Sequence, residues 1–382
     1  MAQRNRVGLV FTYNESWIGG VYYFLNLVSS LNLVHDVNKP VISIISRNRE
    51  SYDFLKKQTN YPYLEYYYES KSLSLFHKGV NRGLKLLNLP KAFNSRVNRG
   101  ELDMIYQYYA DSSIEMNPKV YWIPDFQEKF LPKFFSAEEI KQRQDLYEQI
   151  ADQGQHVAFS SYNALSHFET FFPNSKIQKH VLQFAVTHPD YKLEEAKAIR
   201  GKHNLPERYF FTPNQFWEHK NHKVVLKSVK YLKDKGIEIV VAFSGNENDY
   251  RNKDYLDSLK DYIRINNLSE QIYFLGFLPR IDQLTLMKNA ISIIQPSLFE
   301  GWSTVVEDAK ALNSYLILSN LEVHKEQIDV NVTFFDPKNE IELAVILEKY
   351  SKEDATVVIK NYTENIVRFG NSFIALIEKI TS

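Results

Sequence analysis

The sequence of 382 residues contains no cysteine. It therefore forms no disulfide, and it has no thiolate that could serve as a nucleophile or a metal ligand. Its 46 basic and 46 acidic residues cancel, so the overall charge does not favour binding to nucleic acid. No stretch approaches the roughly 18 consecutive apolar residues of a transmembrane helix.

The start of the chain lacks an apolar signal core. Residues 1–6 lead directly into a strand-like segment, which favours a cytoplasmic location. Apolar residues make up 44% and charged residues 24% of the chain, the proportions of a soluble globular protein. The length is sufficient for two domains.

Short apolar segments alternate with helical patterns along most of the chain. Such alternation predicts an α/β protein with parallel sheets. A polar stretch at residues 185–206 is interpreted as a linker, which divides the series into two doubly wound Rossmann-like domains at residues 1–184 and 207–357. An apolar-periodic helix is predicted for the remainder, residues 358–382.

The segment from residue 71 to residue 100 is basic throughout. It contains no acid and seven cations: Lys71, Lys78, Arg82, Lys85, Lys91, Arg96 and Arg99. Apolar residues at helical spacing make part of it a basic amphipathic helix. Such a helix can lie on an anionic membrane surface or face a phosphorylated lipid acceptor. The alternative is a helix that packs on the sheet and exposes its basic face to solvent.

Residues 290–312 predict a buried strand, a glycine-containing turn and a helix. The turn holds Gly301, and a helix N-terminus with free N–H groups is suited to binding an anion. Glu300 and Glu307 bracket the turn. Thr304 and Glu307 also have the spacing of a capping box, so Glu307 either satisfies the helix terminus or accepts hydrogen bonds from a vicinal diol such as a ribose.

Other candidate residues follow predicted strands, at the edge where open α/β sheets bind ligands. Asp125 and Gln127 come after a strand of the first half. Lys220 lies in an aromatic- and histidine-rich turn after a strand of the second half, where it could neutralise a departing diphosphate. His219 and His222 are three residues apart, but no third ligand lies near them in the sequence, so no metal site is predicted.

The segment from Glu300 to Ala309 resembles the paired-glutamate motif of the retaining glycosyltransferases of GT-B architecture. Further segments resemble the family in the same order: the Gly19–Gly20 pair, the Lys220 turn, the loop of residues 244–247 and the segment of residues 273–277. The resemblance is strong over the second half and weak over the first. It implies two Rossmann-like domains facing each other across a cleft, with the final helix crossing back to the first domain.

The resemblance also implies roles for individual residues. Lys220 would hold the nucleotide diphosphate, and Glu300 would bind hydroxyls of the donor sugar, while Glu307 would hold the ribose. Backbone and side chains around these groups would contact the phosphates, the sugar and the base: Gly19, Gly20, Gln215, Gly245, Gly276, Phe277, Leu278, Gly301, Trp302, Ser303 and Thr304.

Three positions depart from the family pattern. Six residues separate Glu300 from Glu307, where the family usually has seven. Gln215 stands where an arginine commonly precedes the phosphate-binding lysine by five residues. Pro124–Asp125 stands where many members have His-Asp, so Asp125 is the candidate base.

The expected activity is transfer of a sugar, with retention and without a metal, from a UDP- or GDP-sugar to a saccharide or lipid-linked acceptor. No cofactor and no nucleic-acid partner are expected. A surface-polysaccharide or glycolipid role, peripheral on the inner face of a membrane, would fit the basic segment. The alternatives are a nucleotide-sugar epimerase or phosphorylase on the same fold, and a non-catalytic sugar-binding protein.

Overall fold

The computed structural model describes residues 4–14, 18–46, 49–68, 75–87, 89, 102–107, 118–188, 196–247, 251–252 and 254–382. Within these residues the chain forms two parallel sheets flanked by helices, as the alternating pattern predicts. Most of the central strands are apolar and buried, because helices cover both faces of each sheet. The predicted α/β class and two Rossmann-like units are confirmed.

The first sheet has seven strands in the order β3-β2-β1-β4-β5-β6-β7. They are β1 Arg6–Val10, β2 Val41–Ser46, β3 Leu64–Tyr68, β4 Met104–Tyr106, β5 Lys119–Ile123, β6 His156–Phe159 and β7 Gln178–Val181. The helices are α1 Ile18–Ser30, α2 Arg49–Thr59, α3 Leu75–Leu86, α4 Gln127–Phe130, α5 Ala137–Gln153 and α6 Tyr162–Phe171. The strand order reverses between β1 and β4, which places a crevice at the carboxyl end of β1.

The second sheet has six strands in the order β10-β9-β8-β11-β12-β13. They are β8 Phe210–Thr212, β9 Val241–Phe243, β10 Ile272–Phe274, β11 Ile293–Gln295, β12 Leu316–Ser319 and β13 Val332–Phe335. The helices are α7 Ala196–Lys202, α8 His222–Asp234, α9 Tyr255–Ile265, α10 Arg280–Asn289, α11 Thr304–Ala311, α12 Glu322–Gln327, α13 Glu340–Lys352 and α14 Thr363–Thr381. Here the order reverses between β8 and β11, so the turns after these two strands are neighbours.

The last helix, α14, packs against α1 of the first unit. Phe369, Phe373 and Ile377 recur on one face of α14, and all three are buried in the core that includes Val7 of β1. Helical spacing of large apolar residues produces this buried face. The chain therefore returns to its first half after it completes the second sheet.

Part of the stretch interpreted as a linker is structured. Residues 196–202 form α7, which packs on α10, and Ile199 is fully buried in the core of the second unit together with Leu205. Although the stretch is polar on average, its apolar residues Ile199 and Leu205 are buried. The second unit therefore begins by Ala196, earlier than the predicted residue 207.

Ser136 and Glu139 form a capping box at the start of α5, with Ser136 N donating to Glu139 Oε2 at 2.8 Å. The basic segment of residues 71–100 lies largely outside the described residues, which cover only 75–87 and 89 of it. Among the helices that are described, none is long and apolar enough to cross a membrane.

Candidate active site

A cavity of about 330 Å³ lies between the two units, where the carboxyl ends of both sheets face each other. Its volume is in the range of small-ligand sites. Most of the candidate residues from the sequence line it: Gly19, Gly20, Asp125, Gln127, Gln215, Lys220, Gly245, Phe277, Leu278, Glu300, Gly301, Trp302, Ser303 and Thr304. Gly276 and Glu307 are not among the lining residues.

Lys220 and Glu300 form a largely buried ion pair in this cavity. Lys220 Nζ lies 2.6 Å from Glu300 Oε1, and the two side chains are 17% and 9% exposed. Lys220 ends a short 3-10 turn at residues 218–220, and the next residue, Asn221, has a φ of 58°. The Asn221 side chain donates to the carbonyls of Pro296 and Pro337, so the lysine turn is tied to the segment that follows β11.

The Glu300 carboxylate is held through one of its oxygens. Besides Lys220, Gln295 Nε2 and Ser297 Oγ donate to Oε1, at 2.8 and 2.6 Å. Burial acts to raise the pKa of Glu300, but the Lys220 charge and these hydrogen bonds outweigh it and hold the pKa below its ordinary value. The carboxylate is therefore ionised and oriented, while Oε2 accepts none of these three bonds.

Two buried polar atoms in the cavity walls have no partner among the described residues. They are Asn214 Nδ2, on a side chain in the turn after β8, and Gln295 Oε1, at the end of β11. An unsatisfied buried polar group costs about 1–3 kcal/mol. One donor and one acceptor left in this way beside Glu300 are suited to a polar ligand with several hydroxyls.

Gly301 allows the turn after β11 to approach the first unit. A Cβ at this position would lie 2.6 Å from Pro124 O and 2.8 Å from Asp125 Cβ, so no larger residue fits without a backbone shift. The neighbouring Trp302 crosses the boundary, with Nε1 donating to Phe184 O at 3.0 Å. The predicted anion turn therefore also contacts both units.

The N-terminus of α11 differs in detail from the expected anion site. Ser303 is the N-cap, and its Oγ accepts from Val306 N. The Ser303 N–H is itself engaged, because it donates to Gln327 Oε1 at 3.1 Å. The capping box suggested for Thr304 and Glu307 does not form, since α11 begins at Thr304 and the position three residues after its cap is Val306.

Gly19 and Gly20 lie within the first turn of α1 and not in a loop before it. Their N–H groups therefore belong to the first four of the helix, which have no partner within a helix. An added Cβ at Gly19 would meet nothing within 4 Å. The glycine pair thus leaves the end of α1 open toward the cavity.

Asp125 lies at the cavity wall of the first unit, directly after β5. Its Oδ1 accepts from Gln127 N at 2.9 Å. Burial raises the pKa of Asp125, and the nearby Glu300 charge adds to this effect, although the Gln127 N–H, Arg143 and Lys220 oppose it. A carboxyl group with a raised pKa beside the Lys220–Glu300 pair can exchange a proton more readily near neutral pH than an ordinary aspartate.

Glu307 is buried and is not among the residues that line the cavity, and its contact with a ribose stays a prediction. Its Oε1 accepts from Lys310 Nζ at 2.7 Å and from Gln327 Nε2 at 2.9 Å, and its Oε2 accepts from the Tyr362 hydroxyl. Burial, and next the Glu307 charge, raise the pKa of Tyr362 far above its ordinary range. The Tyr362 hydroxyl also accepts from Val186 N. Through Tyr362, Glu307 thus connects α11 to the segment after β7 and to the start of α14.

Asp308 occupies the cavity instead, and the sequence reasoning missed it. Seven residues separate Glu300 from Asp308, which is the family spacing, so the signal was present but was assigned to the neighbouring glutamate. Asp308 accepts from both terminal nitrogens of Arg280 and from His188 Nε2. Burial acts to raise the pKa of Asp308, but Arg280 and His188 outweigh it and hold the pKa below its ordinary value.

The loop after β10 supplies the remaining candidates. Phe277 is exposed and Leu278 is buried, and both line the cavity. Gly276 lies behind them, where its carbonyl accepts from Gly245 N at 3.0 Å. A Cβ at Gly245 would lie 2.8 Å from Gln215 Cα and collide with the Asn214 carbonyl, so this glycine is required by the close approach of two loops.

His219 and His222, which lie on either side of Lys220 in the sequence, are both buried. His222 is fully buried, stacked on Phe216 at 4.6 Å, and burial lowers its pKa to about 3. His219 lines the cavity and is also almost fully buried. Over the described part of the chain, no group of three or more His, Asp or Glu side chains is placed to hold a metal ion.

Residues 195–366 match the family described as glycosyl transferases group 1. EpsF of Bacillus subtilis, named as a glycosyltransferase, is 30% identical over 106 residues, which are 28% of this chain and 26% of EpsF. The O-antigen chain mannosyltransferase RfbU of Salmonella typhimurium is 25% identical over 165 residues, 43% of this chain and 42% of RfbU. The chain thus spans less than half the length of either relative.

Solved structures match along the whole chain. Anabaena HepE, crystallised with UDP and glucose, gives a TM-score of 0.61 at 15% identity, over 99% of this chain and 95% of HepE. The lipopolysaccharide glycosyltransferase WaaG gives 0.56 at 12% identity, over 98% of both chains. We conclude that the chain has the fold of GT-B glycosyltransferases and that its residues 195–366 are similar to the glycosyl transferases group 1 family.

Proposed function

We propose that this protein is a glycosyltransferase that moves a sugar from a nucleotide diphosphate sugar to a saccharide or lipid-linked acceptor. The Lys220–Glu300 pair carries the proposal. Lys220 Nζ and Glu300 Oε1 lie 2.6 Å apart in a cavity between the two sheets. In a nucleotide diphosphate sugar the diphosphate, which a cation can bind, is linked to a sugar whose hydroxyls can donate to a carboxylate. The unpartnered Asn214 Nδ2 and Gln295 Oε1 beside them support a ligand rich in hydroxyls.

The donor would lie along the second unit. Lys220 would stabilise the departing diphosphate, and Glu300 Oε2 would accept from the donor sugar, since Oε1 is already used by three donors. Asp308, which lines the cavity, would accept from the ribose in the role that the sequence suggested for Glu307. The donor would be a UDP- or GDP-sugar, and the UDP bound to HepE supports the first of these.

The transfer would retain the configuration at the sugar carbon without a metal and without a covalent intermediate. In this mechanism the acceptor hydroxyl attacks from the face that the diphosphate leaves, and its proton passes to the departing phosphate. Such a reaction depends on positioning and on electrostatic stabilisation of the leaving group. Asp125, which lines the cavity from the first unit and has a raised pKa, would orient the acceptor hydroxyl.

Ligand-induced thermal stabilisation tests the donor proposal first. A nucleotide that binds only the folded state raises the unfolding temperature by mass action. UDP, GDP, ADP, CDP and dTDP should therefore be compared, and one of them should stabilise the wild type clearly more than it stabilises Lys220→Ala. If none stabilises the wild type, the proposal is wrong.

Product analysis then tests the activity. Incubation with donor and a mixture of saccharide and lipid-linked acceptors should give a glycosylated product that Glu300→Ala no longer forms. A new sugar isomer in the absence of acceptor would identify an epimerase, and a sugar phosphate formed with inorganic phosphate would identify a phosphorylase. Binding without any turnover would identify a sugar-binding protein. Full activity of both Lys220→Ala and Glu300→Ala would refute the assignment of the site.

We also propose that the first unit contacts an anionic membrane from the cytoplasmic side. Phe76 and Leu86 on α3 are 72% and 82% exposed, and Arg82 and Lys85 are exposed on the same helix. Exposed apolar and basic side chains together favour an interfacial position. Replacing Lys78, Arg82 and Lys85 by glutamine should weaken binding to phosphatidylglycerol vesicles, whereas Lys141→Gln with Lys352→Gln, elsewhere on the surface, should not. Unchanged binding of the triple variant would refute the contact.

A further inference from the structure

Arg280 is a second cation in the cavity, at the first position of α10. Its NH1 donates to Asp308 Oδ2 at 2.7 Å, and its NH2 donates to Asp308 Oδ1. The Arg280 and Asp308 side chains are 19% and 1% exposed. This bidentate pair fixes the plane of the guanidinium, which a single-point contact would not do.

The other side of Arg280 faces the first unit. Its guanidinium carbon lies 5.2 Å from the centre of the Tyr22 ring. Tyr22 follows Gly20 by two residues in α1, and both line the same cavity. Arg280 is thus held between the acidic residue of one unit and the open helix end of the other, where N–H groups favour an anion.

The charges of the cavity show why a second cation matters. Lys220 is paired with Glu300, and Arg280 is paired with Asp308, so the two pairs together are neutral. A nucleoside diphosphate carries about two or more negative charges near neutral pH. Gln215 contributes no charge at the position where the family commonly has an arginine, so Lys220 alone would leave much of the phosphate charge uncompensated.

We propose that Arg280 binds the diphosphate of the donor together with Lys220, at a site where Gln215 provides no cation. This inference rests on the proposed function, because it assigns a further contact within the same donor site. Arg280 NH1 also donates to Gln283 Oε1 at 3.3 Å, and Gln283 lines the same cavity. A phosphate oxygen that replaces this neutral acceptor would bind the guanidinium while the pair with Asp308 is kept. The pairing and the Tyr22 ring keep it in place before the donor arrives.

The alternative is that Arg280 only neutralises the buried Asp308. The single variant Arg280→Met would not distinguish diphosphate binding from neutralisation of Asp308. It leaves the Asp308 carboxylate without its cation and can therefore prevent folding. The informative comparison is between Asp308→Asn and the double variant Arg280→Met with Asp308→Asn. Both lack the buried charge, and they differ only at position 280.

Calorimetric titration should use whichever of UDP and GDP stabilises the wild type, together with the matching nucleoside. Relative to Asp308→Asn, the double variant should bind the diphosphate about ten- to a hundredfold more weakly, the range for hydrogen bonds between charged groups. Affinity for the nucleoside should be unchanged. Adding Gln215→Arg to the double variant should restore part of the affinity for the diphosphate.

Three results would overturn the inference. They are equal diphosphate affinity of the two variants, an equal loss for nucleoside and diphosphate, and no recovery with Gln215→Arg. Arg208→Met is the control, because Arg208 also pairs with an aspartate, Asp354, but lies outside the cavity lining, and it should bind both ligands like the wild type. If the wild type binds neither diphosphate, the proposed function fails together with this inference, whereas wild-type binding with equal variants overturns the inference alone.

Discussion

Replacing Glu307 by glutamine distinguishes the two roles that this residue could have had. Its carboxylate is 1% exposed and accepts from Lys310, Gln327 and Tyr362. In the variant, the amide nitrogen must face at least one of these donors, and Lys310 loses its anion. A buried donor left without an acceptor costs about 1–3 kcal/mol, and a disrupted buried ion pair costs more.

We therefore expect Glu307→Gln to lower the free energy of unfolding by about 2–4 kcal/mol. For a domain of this size, the change corresponds to a decrease of roughly 10 °C in the unfolding temperature. Glu322→Gln on the neighbouring α12 is the matched control. Among the residues that the structure describes, Glu322 pairs with Lys325 alone, on the surface, so its loss should cost less than about 0.5 kcal/mol.

Nucleotide affinity supplies the second readout. At a temperature where Glu307→Gln is folded, its affinity for the diphosphate should lie within about threefold of the wild type, because no Glu307 atom lines the cavity. Asp308→Asn should weaken binding of the diphosphate and its nucleoside alike, by about tenfold, since a charged acceptor for the ribose is lost. Wild-type stability of Glu307→Gln combined with a tenfold loss of affinity would refute this reasoning and return the ribose contact to Glu307.

The remaining predictions concern the contacts between the units and the dependence on pH. Glu326 accepts from the first N–H groups of α6, Tyr162 N at 2.8 Å and Asn163 N at 2.9 Å, so Glu326→Gln should weaken this contact between the two units. Small-angle scattering without ligand should then show a larger radius of gyration than for the wild type, and an unchanged radius would contradict the prediction. Gly301→Ala should reduce turnover at least tenfold because its Cβ would meet Pro124 O at 2.6 Å, and wild-type turnover would contradict that steric argument. The pKa of Glu300 is lowered from 4.5, so its charge contributes stability that is present above about pH 4.5 and is lost as the pH falls through the folded-state pKa; the stability difference between wild type and Glu300→Gln should therefore shrink on acidification, and a constant difference would show that Glu300 is not ionised in the fold.

The hydrophobic pattern was sufficient to predict the class of fold, but it was less reliable for the residues at which helices and strands begin and end. The segment of residues 237–243 is strand-like in composition, but the strand β9 is limited to Val241–Phe243. The segment of residues 185–206 is polar on average, yet its few apolar residues place α7 in a core. Average composition does not report which individual side chains find a buried site, because burial depends on the partner surface.

The sequence also located most of the candidate site. Residues that follow strands of a doubly wound sheet gather at one edge, so Lys220, Asp125 and Glu300 could be placed together before any coordinates were known. The charge of Arg280 was not recognised as part of the site. Arg280 begins a helix whose composition does not mark it as part of a site. Its place in the cavity becomes apparent from the Tyr22 ring of the other unit, which lies beside its guanidinium.

The strand–turn–helix at residues 290–312 shows where sequence and tertiary structure each decide. The short apolar run, the glycine after it and the helical spacing that follows by themselves determined a strand, a turn that contains Gly301 and a helix. They did not determine which of the adjacent Glu307 and Asp308 faces the ligand, because neighbouring helical residues point about 100° apart and either could be turned inward. The tertiary structure decided this through Tyr362 and Gln327, which take Glu307 into the protein, and through Arg280, which holds Asp308 at the cavity.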